Sequence, residues 1–366
     1  MSDDIKRIGI LTSGGDCPGL NAAIRAVFLA AHKKNWEVYA IEDATTGFVE
    51  GRIYELTEKH FADGVLMRLG GTFLGSTNRG DLENILDFLM PDGTRKDRSG
   101  ELTDMVEKFK IDYVIGIGGD GSFSIISDLA ERCNFKFVGI PKTIDNDVPN
   151  TERCIGFESA VALATRAVDD LLPTAKSHKR VQILEVMGRT VGNIAISTGI
   201  AAGADVVLIP EIPYDLDIVL EKIAHVHRHG KSHALVVVSE AIKEKGGETD
   251  TKKVRADGTV EIETGVGLRL AKIIEEKTGL ETRATILGAM QRGCAPTARD
   301  RLIASAFGAK AVKAIAEGKH DVMVAWQSGE VKAVPLNTGI GEFGAVDIKG
   351  LRIRTARCLD ICLGDE

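Results

Sequence analysis

Two short loops hold the residue types that chemistry requires. The first, Gly116-Ile-Gly118-Gly119-Asp120-Gly121, follows an apolar run from Asp112 to Ile117 and precedes a helical pattern from Ser124 to Arg132. Strand, glycine turn and helix in that order form the setting of a dinucleotide site. Such a site wants an acid at the end of the next strand to hold a ribose, and the run Phe135 to Ile140 ends instead in Pro141-Lys142. Asp120 would also repel a pyrophosphate. A carboxylate among glycines is better suited to phosphate-bound Mg2+, because the metal bridges charges that would otherwise clash.

The second loop is Pro141-Lys142-Thr143-Ile144-Asp145-Asn146-Asp147. Acids two residues apart are common in solvated loops, so position decides, and this pair closes a strand. One carboxylate there can take the proton from an attacking hydroxyl, while the second orients the metal or the first acid. Countercharge is at hand: Arg180 and Arg189 bracket the strand Val181–Val186, and Arg283 and Arg292 bracket a strand expected at 284–288. An arginine fork binds two phosphate oxygens at once. Two other glycine motifs fail. Gly230-Lys231-Ser232 has a P-loop ending, but His225 stands where its first glycine belongs, and the G-x-G-x-x-G at Gly339 to Gly344 leads into no periodic helix.

These loops need elements to hold them. A strand at Arg7 to Leu11, a turn Ser13-Gly14-Gly15-Asp16 and a helix from Asn21 to Lys34, with Ile24, Val27, Phe28 and Ala31 on one face, open the chain. Strands at Val181–Val186, Val206–Pro210 and Ala234–Ser239 alternate with helices at Glu158–Leu172 and Leu216–His229, the latter capped by Asp215 and ended by Gly230. Alternation of this kind predicts mostly parallel α/β sheets, whose ligands sit at the carboxyl ends of the strands, where both Gly/Asp loops fall. The charged stretch Lys243 to Glu263 reads as an exposed insertion with a hairpin turning on Asp257-Gly258.

Length and composition agree. A chain of 366 residues exceeds what one core usually fills, so two α/β lobes are expected. With 44% hydrophobic and 27% charged residues it reads as globular, and a net charge of −7 argues against a nucleic-acid partner. No apolar run approaches the roughly 18 residues that span a bilayer, and Met1 to Lys6 has no apolar core, so no membrane partner and a cytoplasmic location are expected. Cys17, Cys133, Cys154, Cys294, Cys358 and Cys362 form no C-x-x-C pair and read as reduced bystanders, Cys358 and Cys362 on one helix face.

At the segments Leu11-Thr-Ser-Gly-Gly-Asp16, Gly70-Gly-Thr-Phe-Leu-Gly75, Gly118-Gly-Asp-Gly-Ser122, Pro141 to Asp147, Glu185-Val-Met-Gly-Arg189, Ser239-Glu240 and Gln291-Arg-Gly293, the chain resembles the phosphofructokinase family of non-P-loop sugar-phosphate kinases. The resemblance implies two similar lobes, each a mostly parallel sheet flanked by helices, with the active site in the cleft between them. It divides the chain into 1–155 plus about 295–342 for the phosphoryl donor, and 156–294 plus about 343–366 for the sugar phosphate. It implies transfer of a phosphoryl group from ATP to the 1-hydroxyl of fructose 6-phosphate, a step of glycolysis. By position, Asp145 is the general base beside Thr143 and Asp147, Asp120 serves Mg2+, and the Gly15 amide and Arg189 steady the moving phosphoryl. Arg79, Gly119, Gly121, Ser122 and Lys142 face the donor. Met187, Gly188, Glu240 and Arg292 hold the sugar, while Arg180 and Arg283 bind its 6-phosphate from a neighbouring subunit, implying a homodimer or homotetramer.

Departures from the family pattern qualify this. Pyrophosphate users commonly carry Asp at the position of Gly121 and Lys at that of Lys142, so this mixed pair resembles an intermediate group; Gly121 favours ATP, with pyrophosphate as the alternative donor. Ala289 replaces a histidine on the 6-phosphate, a loss of about 1.5–3 kcal/mol for a charge-assisted contact, which leaves another sugar phosphate open as acceptor. Cys294 replaces a glycine, Ile125 a glycine near the ribose, and Asn78 an arginine beside Arg79. Leu29, Glu58 and Leu172 replace basic residues of an allosteric nucleotide site of which Arg25 and Glu211 remain, so weak ADP activation is expected. An inactive sugar-phosphate-binding homologue and an NAD-dependent dehydrogenase are the remaining alternatives.

Overall fold

A computed structural model describes residues 6–77, 83–86, 88–90, 93–247, 252–254, 260–262, 265–336 and 344–366. The chain divides into two compact units, Met1–Ser159 with Arg292–Phe343, and Ala160–Gln291 with Gly344–Glu366.

The first unit is built on a sheet ordered Glu330–Pro335, Val322–Gln327, Lys136–Thr143, Tyr113–Gly118, Arg7–Thr12, Glu37–Ile41 and Ile53–Glu55. Its five inner strands are parallel, and each edge strand pairs antiparallel. The inner strands are buried apolar runs, as parallel strands covered by helices must be. Helix Leu20–His32 buries the expected face of Ile24, Val27, Phe28 and Ala31. Gly116 and Gly139 leave room for rings: a Cβ on Gly116 would meet Phe137 Cε2 at 2.8 Å, and one on Gly139 would meet Phe123 Cε1 at 3.0 Å. The first glycine of the dinucleotide-like motif therefore serves the core.

Two boundaries differ from the sequence reading here. The glycine turn expected over Gly118 to Ser122 is shorter, because helix Asp120–Cys133 already starts at Asp120, after an extended Gly119. An acid in the first turn suits the positive end of the helix dipole. The strand expected to end at Ile140 continues to Thr143, because Ile155–Gly156 pairs with Lys142 and Thr143.

In the second unit four strands, ordered Val206–Leu208, Ala234–Ser239, Val181–Val186 and Thr282–Ile286, are all parallel. The last begins two residues before its expected start. Helix Phe157–His178 runs beyond the end expected at Leu172 and contains Pro173; the proline lacks its own amide, and Ser177 Oγ donates to the Pro173 carbonyl at 2.8 Å. Asp215 caps helix Leu216–Arg228 by accepting from the Asp217 amide at 3.0 Å, as the sequence predicts. Strands Lys252–Val254 and Val260–Ile262 pair antiparallel, the expected hairpin arms; the turn at Asp257-Gly258 and most of the glycines at 339–344 lie outside the described residues.

All six cysteines are free. Cys358 and Cys362 do not share a helix face, because helix Leu351–Cys358 ends at the first of them, Asp360 takes a positive φ of 58°, and Cys362 bridges to Val206. Lys231 of the failed P-loop ending is paired with Asp205 at 2.6 Å. No described helix is long and apolar enough to cross a membrane.

Candidate active site

Three parallel neighbours of the first unit, Arg7–Thr12, Tyr113–Gly118 and Lys136–Thr143, deliver three loops at their carboxyl ends. The loops are stitched together. Ser13 donates its amide to Ile117 O at 3.0 Å and its hydroxyl to Ser122 Oγ at 3.0 Å, while the Gly14 amide reaches Thr77 O at 2.9 Å. Two cations then hold the first loop by its carbonyls: Lys142 Nζ donates to Gly15 O, and Arg292 Nη1 to Asp16 O at 3.2 Å. A Cβ on Gly15 would lie 2.5 Å from Arg292 Nη1, so the arginine stacks onto this loop only because residue 15 has no side chain. Lys142 is almost fully buried, and burial pushes its ammonium below the usual lysine range. Beside it the buried Cys17 thiol, pushed up by the same burial, donates to Ile155 O at 3.2 Å, which makes it a packing residue.

The acid-bearing loop is braced from within. Thr143 Oγ1 accepts from the Asp145 amide at 3.1 Å. Asn146, left-handed at φ 53°, accepts from the Cys154 amide at 2.8 Å and donates to Glu152 O at 3.3 Å. Asp145 and Asp147 are buried to 6% and 8% exposure, so both carboxylates are held in a preorganised, largely desolvated setting.

At the donor loop the glycines differ in kind. A Cβ on Gly118 would strike Ser122 Cβ at 2.6 Å, whereas one on Gly121 would meet nothing within 4 Å. Gly121 thus opens onto space at the start of helix Asp120–Cys133, where unpaired amides favour an anion. Asp120 lies in that first turn. No group of three or more His, Cys, Asp or Glu side chains that could cage a metal exists among the described residues. Asp120 at this helix start fits Mg2+, which binds through one or two carboxylates together with phosphate oxygens and water.

In the second unit the loop after Val181–Val186 is clamped from two sides. Gln291 Oε1 accepts from the Met187 amide at 2.8 Å, and Glu240 Oε1 accepts from the amides of Gly188 at 3.2 Å and Arg189 at 2.8 Å. The clamp holds Arg189 left-handed at φ 53°, a conformation that costs a non-glycine residue energy and is typical of working sites. Met187, Gly188, Arg189 and Glu240 are thus brought together at carboxyl ends of this sheet. Arg180 and Arg283 are not with them. They lie at the amino ends of Val181–Val186 and Thr282–Ile286, a strand length of about 20 Å away at roughly 3.3 Å per residue.

Arg79 and Asn78 lie outside the described residues. Sequence reasoning assigned no role to Gln291, although it lies within a matched segment, nor to Asp300. The Asp300 carboxylate accepts from the Gly156 amide at 3.1 Å and from Ser159, at 2.7 Å from its amide and 2.5 Å from its hydroxyl. The Thr297-x-x-Asp300 spacing, a helix-start pattern, was the one available signal.

Residues 7–315 match the family described as Phosphofructokinase. ATP-dependent 6-phosphofructokinase 1 of Synechocystis sp. is 46% identical over 364 residues, covering 99% of each chain, and that of Nostoc sp. is 48% identical over 362 residues, covering 98% and 99%. Among solved structures, Pichia pastoris phosphofructokinase in the T-state aligns with a TM-score of 0.76 at 28% identity over 92% of this chain, which spans 35% of that longer one. A pyrophosphate-dependent phosphofructokinase from Marinobacter aquaeolei shares the fold, with a TM-score of 0.79 at 23% identity over 98% of this chain and 92% of that one. This chain, matched along nearly its whole length by such relatives, belongs to the phosphofructokinase family.

Proposed function

We propose that this chain transfers the terminal phosphoryl group of ATP to the 1-hydroxyl of fructose 6-phosphate, giving fructose 1,6-bisphosphate in the cytoplasm. The observation that carries the reading is the set Gly15, Asp120, Lys142, Thr143 and Asp145 gathered at the carboxyl ends of three adjacent strands. Asp145 takes the proton of the attacking hydroxyl, with Thr143 and Asp147 fixing its loop. The amides of Gly119, Gly121 and Ser122 face the donor phosphates. Mg2+, held by Asp120 and phosphate oxygens, would supply the positive charge that offsets charge on the donor. The Gly15 amide and Arg189 steady the moving phosphoryl, and Arg79 adds to the donor side. Met187, Gly188, Glu240 and Arg292 orient the sugar.

Arg180 and Arg283 take the 6-phosphate. Their place at the sheet edge opposite Met187 and Glu240 supports a homo-oligomer in which one copy lends this pair to the sugar site of another. The open space at Gly121 supports a nucleotide over pyrophosphate, since an aspartate there would fill it. Turnover of the purified protein with ATP and with pyrophosphate, against fructose 6-phosphate and other sugar phosphates, tests the reading. ATP with fructose 6-phosphate is expected to give the highest kcat/KM, by about ten-fold or more, some 1.4 kcal/mol. No turnover with that pair sinks it.

Activation by ADP is expected to be weak. Glu211, one of two residues retained from the allosteric site, is already engaged by its own chain: its Oε1 accepts from the Val346 amide at 2.9 Å and from the Gly192 amide at 3.0 Å. Arg352 stands nearby, bound to Asn193 Oδ1 at 2.7 Å and Ser197 Oγ at 3.2 Å, and burial lowers its pKa. A carboxylate so satisfied has little to offer an effector. Titrating ADP at low fructose 6-phosphate should shift half-saturation by less than about two-fold, a coupling factor near one. A strong shift would contradict it.

A further inference from the structure

At the amino-terminal edge of the second unit's sheet, two guanidiniums meet on one carboxylate oxygen. Glu281 Oε1 accepts from Arg180 Nη2 at 2.8 Å and from Arg283 Nη2 at 2.6 Å. Glu275 adds a second carboxylate, its Oε2 lying 3.4 Å from Arg283 Nη1 and accepting the Thr282 amide at 3.2 Å. The strand ladder enforces the meeting. Thr282 pairs with Val181, and the Val181 amide donates to Glu281 O at 3.0 Å, so residues 180, 281 and 283 are held side by side. The pair still has donors to spare: Arg180 Nε is buried and has no hydrogen-bond acceptor among the described residues. The bond to Arg180 holds the Glu281 carboxyl below its ordinary range, so it remains a carboxylate at neutral pH.

We propose that Glu281 is a built-in counter-anion that competes with the sugar's 6-phosphate for the Arg180 and Arg283 forks, and so sets how tightly the sugar phosphate binds. The inference rests on the reading above that this pair takes the phosphate. A phosphate dianion wants the same N–H groups, because paired charge-assisted bonds to guanidinium are its strongest contacts. It meets two cations whose charge Glu281 and Glu275 already offset. Binding is therefore an exchange, in which the two Nη2 atoms leave one carboxylate oxygen for phosphate oxygens and no proton moves. Glu281 is about a third exposed, so water can hydrate the released carboxylate and the exchange is affordable.

The test is the KM for fructose 6-phosphate at saturating ATP in the full-length protein and in the single variants Glu281→Gln, Glu275→Gln, Arg180→Ala and Arg283→Ala. Calorimetric titration with fructose 6-phosphate, and with fructose as the control lacking phosphate, gives a readout independent of turnover. Glu281→Gln keeps the shape and removes the charge. It is expected to tighten fructose 6-phosphate about three- to ten-fold by both readouts, with Glu275→Gln shifting the same way by less across its longer contact. Both arginine variants should weaken it. If the arginine variants weaken binding and Glu281→Gln weakens it too or leaves it unchanged, Glu281 is scaffold, and this inference falls while the phosphate reading stands. If neither arginine variant changes affinity, the pair does not hold the phosphate and both fall.

Discussion

Replacing Asp145 with Asn is expected to lower kcat about 10²- to 10⁴-fold, or some 2.7–5.5 kcal/mol of barrier, while leaving the affinity for fructose 6-phosphate within about two-fold. The expectation follows from what the substitution keeps. Asparagine has the size of aspartate and an acceptor oxygen, so it can still receive a hydrogen bond from the sugar hydroxyl; it cannot take the proton at neutral pH. The loop keeps braces that the substitution leaves in place: the Asp145 amide goes to Thr143 Oγ1, and Asn146 is pinned by Cys154 and Glu152. Steady-state kinetics with calorimetric titration of fructose 6-phosphate separates the two effects. A kcat within ten-fold of the parent would remove Asp145 from its role, and a matching loss of affinity would make it a binding residue.

What could be read from the sequence, and what could not, divides by the range of the interactions. Strands Val181–Val186 and Ala234–Ser239 stand where their apolar runs predict, because a buried parallel strand advertises itself locally. The Asp215 cap and both Gly/Asp loops are equally local. The extension of strand Lys136–Thr143 past Ile140 depends instead on Ile155–Gly156, which no local pattern marks as a partner. Gln291 acts on Met187 across 104 residues of sequence, and Asp300 on Gly156 and Ser159 across 144 and 141. Such roles appear only once the fold has closed those distances. The arginines show the same divide: their type and spacing raised the expectation of phosphate recognition, but only the strand register puts Arg180 and Arg283 at the edge opposite Met187, and only there does Glu281 enter the account.

Asp300→Ala is expected to destabilise the first unit by about 3–5 kcal/mol, more than any surface change. The carboxylate is fully buried and joins two helix starts. It takes the Gly156 amide and both donors of Ser159 at the head of Phe157–His178, while Ser159 Oγ in turn accepts the Thr297 amide at 2.9 Å, ahead of Ala298–Ala316. Alanine would take the acceptor from three donors in the buried interior, and each buried orphan costs about 1–3 kcal/mol. The damage should reach the chemistry, since Gly156 pairs with Thr143. Trp36 and Trp326 are the chain's two tryptophans and both lie in this unit, so fluorescence-detected urea unfolding reads it selectively. The pH dependence has a definite sign. Burial raises the Asp300 pKa above the ordinary carboxyl range, so this group's titration contributes most stability below that range and loses it as pH climbs through the raised pKa. The gap between parent and variant should therefore narrow with rising pH across that interval and stay level above it. A loss below about 1 kcal/mol would reduce Asp300 to an ordinary helix cap, and a gap that widens with pH would show that the hydrogen bonds to it outweigh its burial.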